Sequence, residues 1–377
     1  MRIAIVAETY LPLVNGVTHS LQRVLEHLVR RGDEVLVIAP AAVGANDVDQ
    51  RDGVSVVRLP SVSVAGYSDV RLAVGGVSRV RRLLAGFAPD IVHLASPFEL
   101  GRRAIRAAEQ LGIPTVAVYQ TDVPGYLGKY GVPFLEAWAW QRVAAIHQLA
   151  TLTLAPSLSA ARQLDAHGIP RVELWGRGVD TTRFHPGKRS AAFRAKAAPN
   201  DEVLIGYVGR LAVEKQVEDL AALDNIEGTR VVIVGDGPER EALEAVLPNA
   251  YFTGFLGGEQ LATALASIDL FVHPGELETF CQTIQEAMAS GVPVVATGRG
   301  GPVDLVDPSR TGWLYTPGDL GQLRRHVVDL VGDDAKRAAF AEAAFQSVQG
   351  RTWPVVCELL LHHFECAIAE HALLARR

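Results

Sequence analysis

The strongest constraint in this chain is a rhythm that runs, stops and starts again. Short apolar runs, "RIAIVAE" (2–8), "EVLVIAP" (34–40), "VSVVRLP" (54–60), "DIVHLAS" (90–96) and "PTVAVYQ" (114–120), recur with helix-forming stretches between several of them. A strand covered by helices on both faces has no solvated side and reads as a continuous apolar run. Such runs spaced by helices predict a parallel, doubly wound α/β sheet. One intervening stretch, "THSLQRVLEHLVRRG" (18–32), offers Thr18 as N-cap and Gly32 as stop. The rhythm restarts at "EVLIGYVGR" (202–210) and continues through "TRVVIVGDG" (229–237), "AYFTGF" (250–255), "DLFVHPG" (269–275) and "VPVVAT" (292–297). Two Rossmann-like domains are therefore expected.

A chain of 377 residues also exceeds what one hydrophobic core usually serves. The stretch "GRGVDTTRFHPGKRS" (176–190), rich in Gly, Pro and charge, has the composition of a linker, which sets the domains at 1–178 and 179–354. The terminal segment reads as a long amphipathic helix, and residues 355–377 are expected to pack back on the first domain. In open parallel sheets ligands bind beyond the carboxyl ends of the strands, so a cleft between two facing sets of strand ends is the expected place for chemistry.

Composition removes several classes. With 49% apolar and 21% charged residues the chain is neither disordered nor fibrous. A net charge of -6 does not favour nucleic acid as a partner. Three cysteines without metal-ligand spacing suit a reducing compartment. "RIAIVAE" is too short for a secretory signal, and no apolar run approaches the roughly 20 residues of a membrane span. The expected location is cytoplasmic, with any membrane contact peripheral, on the inner face of the cell membrane.

Several strand ends carry candidate chemistry. In "TYLPLVNGVTHS", Asn15 and Gly16 make a turn before a helix, where a phosphate or sugar can approach the backbone or the strand-to-helix turn simply needs glycine. In "YVGRLAVEKQ", Gly209 precedes Arg210 and Lys215, two cations placed to neutralise a diphosphate, unless they are ordinary solvated cations. "VIVGDGPE" sets Gly235, Asp236 and Gly237 after a strand, for nucleotide approach or a plain turn. "VYQTDVPGY" ends a strand with Gln120, Thr121 and Asp122, three polar groups able to hydrogen-bond a polyol or, with the proline, to close a turn.

"GELETFCQTIQEAM" (275–288) places Glu278 and Glu286 eight residues apart across a helix entrance. A helix starting near Phe280 or Cys281 and running to Ser290, with Gly291 as its stop, would aim the amides of Phe280, Cys281, Gln282 and Thr283 at an anion. The plainer alternative gives Glu278 to capping and Glu286 to a solvated face, with Ile284, Ala287 and Met288 in the core.

Two features hint at a lipid surface. "SRVRRLLAGF" sets Arg79, Arg81 and Arg82 beside apolar residues, with Arg102, Arg103 and Arg106 further on, a pattern equally met on a solvated helix face. Tyr126, Tyr130, Phe134 and Trp138 recur every four residues, a spacing more usual for core than for a lipid groove. There is no G-x-G-x-x-G after the first strand, no H-E-x-x-H, no Cys/His cluster and no G-x-S-x-G. "DVD" (47–49) is loop-like and away from any strand end, and no metal is expected in catalysis.

Taken in order, "NGV", "GRLAVEK", "VGDGPE" and the E-x7-E of "ETFCQTIQE" resemble the retaining glycosyltransferases of family 4, which have the GT-B fold. The likeness covers nearly the whole chain. "VHLASPFELG", "AVYQTDVPGY" and "WGRGVDTTRFHP" resemble in particular the actinobacterial GDP-mannose-dependent α-mannosyltransferases. These act on glycolipid acceptors of the glucuronosyl diacylglycerol or phosphatidylinositol mannoside type.

The resemblance implies an N-terminal acceptor-binding and a C-terminal donor-binding domain. Arg210 and Lys215 would hold the donor diphosphate, Glu286 the ribose, and Glu278 would sit by the transferred sugar. Thr279 and the amides of Phe280, Cys281, Gln282 and Thr283 would meet sugar and phosphate. Gly235, Asp236 and Leu256 would border the base, and Gly16 would close the site. Gln120 stands where many members carry His. Because Gln transfers no proton, it would act by hydrogen bonding, beside Asp122. Retention by front-face attack, with the leaving phosphate taking the acceptor's proton, requires positioning and charge stabilisation and no cofactor. The alternative donor is a UDP-sugar with a soluble acceptor.

Overall fold

Each apolar run named above forms a parallel strand, with ends trimmed by up to three residues. The structure is a computed structural model that describes all residues except 14, 43–47, 52, 65–66, 130 and 375–377. The chain divides into two compact units. The first comprises Met1–Pro124, Phe134–Gly176 and Trp353–Arg377, and the second Gly125–Pro133 and Arg177–Thr352.

The first unit contains β1 (Arg2–Ala7), β2 (Glu34–Pro40), β3 (Val48–Arg51), β4 (Val54–Leu59), β5 (Ser61–Val64), β6 (Tyr67–Ala73), β7 (Ile91–Ala95), β8 (Thr115–Val118), β9 (Leu152–Ala155) and β10 (Val172–Leu174). Eight of these form one sheet in the order β10-β9-β8-β7-β1-β2-β4-β3, parallel except for the β3–β4 pair, while β5 and β6 pair separately. Strand periodicity divides the core. Ile3 and Ile5 face one layer of helices, Ala4 and Val6 the other, and all four are buried. The helix Trp353–Leu374 lies in the first layer through Val356, Leu360, Leu361 and Phe364. Each such side chain contributes about 1.5–3 kcal/mol of burial. Trp175 Nε1 donates to the Val356 carbonyl at 2.9 Å, which fixes the helix start.

The second unit contains β11 (Val203–Val208), β12 (Thr229–Val234), β13 (Tyr251–Gly254), β14 (Leu270–His273), β15 (Val294–Thr297) and β16 (Gly312–Tyr315). All are parallel, in the order β13-β12-β11-β14-β15-β16, the dinucleotide-fold order with its switch point between β11 and β14. The strands β3, β5, β6, β9, β10 and β16 were not foreseen.

Three local expectations need correction. The first long helix spans Gly16–Arg31, and its N-cap is Asn15, not Thr18: Asn15 Oδ1 accepts from Thr18 N at 2.9 Å. After "YVGR" the chain forms short 3-10 turns, Val213–Lys215 and Val217–Leu223, in place of the α-helix that a doubly wound rhythm leads one to expect between β11 and β12. The aromatic series is not one helix, since Val123–Lys129 ends before a 3-10 turn at Pro133–Leu135 and a new helix, Glu136–His147. Phe134 and Trp138 are exposed, not core, and Tyr130 lies outside the described residues.

Candidate active site

In the second unit the loops beyond the carboxyl ends of β11, β12, β14 and β15 are locked together by backbone contact. Gly209 N donates to Val234 O at 3.0 Å, Leu211 N to Asp236 O at 2.9 Å, and Gly235 N to Gly254 O at 2.9 Å. Gly235 has φ of +148°, and a Cβ there would strike the Gly209 carbonyl. Its glycine is thus explained by the approach of one loop to another. Gly301 does the same between the loops after β14 and β15: its N–H donates to Glu278 O at 2.6 Å, and a Cβ would meet the Phe280 carbonyl.

These loops carry the charges. Lys215 Nζ lies 2.6 Å from Glu278 Oε1, both side chains being 16% exposed. Burial alone would lower the Lys215 pKa, but the Glu278 carboxylate outweighs it and raises it. Burial would raise Glu278, and Lys215 and then His273 hold it down at about 2, so it is a carboxylate at neutral pH. Arg210 pairs with Glu214 on its own turn while its side chain stays 55% exposed. Glu276 is clamped by Gln216 Nε2 at 3.3 Å and Arg299 Nη1 at 3.1 Å. Asp236 is exposed, accepting from Gly237 N at 2.8 Å and Arg240 Nη1 at 3.2 Å, and Leu256 is half-buried against the core of this unit.

The helix after "GELETF" spans Gln282–Ala289, later than expected, because Cys281 has φ of +76°, a left-handed conformation no helix continues. Phe280 and Cys281 therefore belong to the turn, and of the four amides only those of Gln282 and Thr283 lie in the first helical turn. Gln282 Nε2 and Gln285 Nε2 donate to the carbonyls of Gly178 and Arg177 at 3.0 and 2.9 Å, tying the helix to the segment that enters this unit. The helix stops as foreseen, with Gly291 at φ +71° and bonds from Gly291 N to Met288 O and Val292 N to Ala287 O. Ile284, Ala287 and Met288 are buried, and so is Glu286, which rules out the solvated face for it. Thr279 is half-buried.

Sequence reasoning missed His273, the last residue of β14. Its ring is 2% exposed and stacks with Tyr207 at 6.0 Å and Phe271 at 6.4 Å. Its Nε2 is 3.2 Å from Glu278 Oε1, but not along a hydrogen-bonding direction. Although the sequence carries no Cys/His cluster motif, His273, Glu278 and Cys281 each bring a ligand atom within 4.8 Å of the others. Their spacing, H-x4-E-x2-C, is no standard metal motif, so only the fold reveals the group.

In the first unit the polar strand ends are engaged in the fold. Asp122 Oδ1 accepts from Tyr119 Oη at 3.0 Å and Oδ2 from Gln163 Nε2 at 3.1 Å. Gln120 and Asp122 are both buried, and Ser96 Oγ donates to Thr121 Oγ1 at 3.0 Å. Glu8, unforeseen, follows β1 and accepts from Phe98 N at 2.6 Å and Gly101 N at 2.8 Å. Burial raises its pKa against those amides. Gly16 is exposed, with open space where a Cβ would stand. Arg79, Arg81 and Arg82 are exposed on the helix Val77–Phe87, whose Val80 and Leu84 are buried. Arg102 and Arg103 flank Glu99 at 3.6 and 3.9 Å, within the fold. Of "DVD", residue 47 lies outside the described residues, while Val48 and Asp49 belong to β3, a strand and not the expected loop.

Two family models match: "Glycosyltransferase Family 4" over residues 14–183 and "Glycosyl transferases group 1" over 188–347. This chain belongs to glycosyltransferase family 4. The glycosyltransferase is 50% identical over 370 residues, 97% of its length and 96% of the other's, to a GDP-mannose-dependent alpha-mannosyltransferase of Mycobacterium tuberculosis. It is 51% identical over 382 residues, and all of both chains, to the protein of that name from Mycolicibacterium smegmatis. A sulfoquinovosyl transferase of Arabidopsis thaliana is 33% identical, over 90% of this chain and 68% of that one. Among solved structures, a sucrose-phosphate synthase from Thermosynechococcus elongatus superposes with a TM-score of 0.83 at 19% identity, covering 98% of this chain and 100% of that chain. The glycosyltransferase thus has two Rossmann-like domains of the GT-B type.

Proposed function

We propose that this enzyme transfers an α-mannosyl group from GDP-mannose to a glycolipid acceptor with retention of configuration, releasing GDP. The observation that carries the reading is the Lys215–Glu278 pair at the β11/β14 switch point, in a chain half identical to proteins named for GDP-mannose and α-mannosyl transfer. A relative named for phosphatidylinositol dimannoside, 29% identical over 319 residues, supports the lipid-linked acceptor.

In this reading Lys215 and Arg210 exchange their carboxylate partners for the donor diphosphate, which offers more charge and more acceptor oxygens. Glu278, kept ionised, cannot deliver a proton. It orients the sugar through its hydroxyls, with Thr279 and the first amides of the helix. Glu286 holds the ribose, and Gly235, Asp236 and Leu256 border the base. The anomeric carbon–phosphate oxygen bond breaks as the acceptor oxygen bonds the same face of that carbon. The acceptor's proton passes to the leaving phosphate, so no side chain need be acid or base, and the electrostatic work falls to Lys215 and Arg210. In the first domain, taken as acceptor-binding, Gln120 and Asp122 position polar groups and Gly16 admits close backbone approach. Arg79, Arg81 and Arg82 attract an anionic inner-membrane surface. Since Val80 and Leu84 of that helix are already buried, the attraction is electrostatic, without insertion.

Incubation with GDP-mannose and extracted membrane lipids, followed by mass spectrometry and anomeric NMR of the product, tests this. An α-linked mannolipid and free GDP are expected. Transfer from UDP-glucose or UDP-N-acetylglucosamine in preference to GDP-mannose would overturn the donor assignment.

A further inference from the structure

We propose that His273, Glu278 and Cys281 bind a single borderline-soft divalent cation of the zinc class, and that the bound ion competes with the donor for Glu278. The first half stands on geometry alone. The second rests on the donor reading above.

Three donor types meet here that hard cations do not favour together: an imidazole, a carboxylate and a thiol, all within 4.8 Å of one another. Tetrahedral zinc, with bonds of about 2.0–2.3 Å, places its ligand atoms about 3.3–3.7 Å apart. The His273 Nε2 to Glu278 Oε1 separation of 3.2 Å already meets this. Cys281 is brought to the group by its left-handed backbone, φ +76°.

The second, independent observation is His273 itself. Both its ring nitrogens are buried, and among the described residues neither has a hydrogen-bond partner. The acidic neighbour of this buried imidazole, the Glu278 carboxylate at 3.2 Å, is misaligned for a hydrogen bond, and stacking against Tyr207 and Phe271 holds the ring in place without satisfying it. A metal ion supplies a directed partner. Cys281 Sγ lies 3.6 Å from Thr283 Oγ1, a hydroxyl placed to donate to a metal-bound thiolate. As the metal–sulfur bond forms, the thiol proton leaves to solvent. Mixed nitrogen, sulfur and carboxylate donors select zinc over magnesium or calcium.

The opposing contact is Lys215 Nζ, 2.6 Å from the same Glu278 oxygen. It explains why occupation matters for the reaction. A metal-held Glu278 is drawn toward His273 and Cys281, away from Lys215 and from the sugar it orients.

Cobalt(II), a spectroscopic substitute for zinc, tests the proposal on the full chain carrying Cys366→Ser. That background removes a second thiol–imidazole pair, Cys366 with His362 at 3.6 Å. One equivalent of cobalt should produce a thiolate-to-metal charge-transfer band, abolished by zinc, by Cys281→Gly and by His273→Gln. Glycine suits the positive φ, and thermal melts with a Cys281→Ser companion separate loss of the band from loss of fold. Absence of the band in the background protein, or its survival in Cys281→Gly, overturns the site. Saturating GDP-mannose should weaken cobalt binding. An unchanged cobalt titration overturns the competition, whereas failure of the metal-free enzyme to release GDP from GDP-mannose tells against the donor reading instead.

Discussion

Both Rossmann units end their strands in carboxylates, yet the two sets are treated differently. In the first unit Glu8 accepts from two backbone amides and Asp122 from Tyr119 and Gln163, groups fixed in the fold. In the second, Glu278 faces Lys215 and Glu214 faces Arg210, each cation at the end of a long, rotatable side chain. The first arrangement stiffens a surface. In the proposed donor reading, the second stores charge for an incoming diphosphate to take over, because exchanging one anionic partner for another costs far less than burying a bare cation.

The largest effect should come from breaking the second arrangement at its carboxylate. Glu278→Gln keeps the shape but removes the charge, and kcat/KM with GDP-mannose should fall about 100- to 1000-fold. GDP affinity should change far less, because the substitution touches the sugar end. Next, Gly235→Ala forces the β11 and β12 loops apart and should destabilise the second unit by about 3 kcal/mol, seen as a lower melting transition. In the first unit, Asp122→Asn puts an amide donor against the Tyr119 and Gln163 donors. It should cost about 1–3 kcal/mol of stability, read by urea unfolding, while activity per folded molecule falls by less than about tenfold. Equal loss of activity in the Asp122 and Glu278 variants would erase the contrast between the units. Gly16→Ala meets open space at a helix start and should leave the melting temperature unchanged or slightly raised. A drop in kcat/KM there would then report ligand approach to the backbone. A separate effect, on membrane binding and not on the site, is expected from Arg79, Arg81 and Arg82 together changed to Gln: flotation with anionic liposomes should weaken by about 1 kcal/mol per charge at low salt and converge with the unaltered protein at high salt.

The parallel strands were legible because burial on both faces leaves an unbroken apolar signature. β16 escaped because "GWLY" starts with glycine and is only half-buried at its two middle residues, so it has no unbroken apolar signature. In β9 and β10 the apolar run is interrupted by Thr153 and Glu173. The cations and the E-x7-E pair were legible as motifs, but their partners were not. Glu214 reaches Arg210 only through a 3-10 turn, and Cys281 reaches His273 only through a backbone conformation that a cysteine rarely adopts. Gly235 announced a turn, and Gly301 carried no sequence signal of its own. That they serve contact between loops required coordinates.

The central claim is that Lys215, held by Glu278, is the charge the donor diphosphate takes over. Calorimetric titration of GDP into the unaltered protein and into Lys215→Ala tests it without dependence on acceptor or chemistry. The account predicts that affinity falls about 100-fold, the worth of a charge-assisted phosphate contact. An affinity within about twofold of the unaltered protein would contradict it, because so small a change leaves no charge-assisted contact at Lys215 to remove.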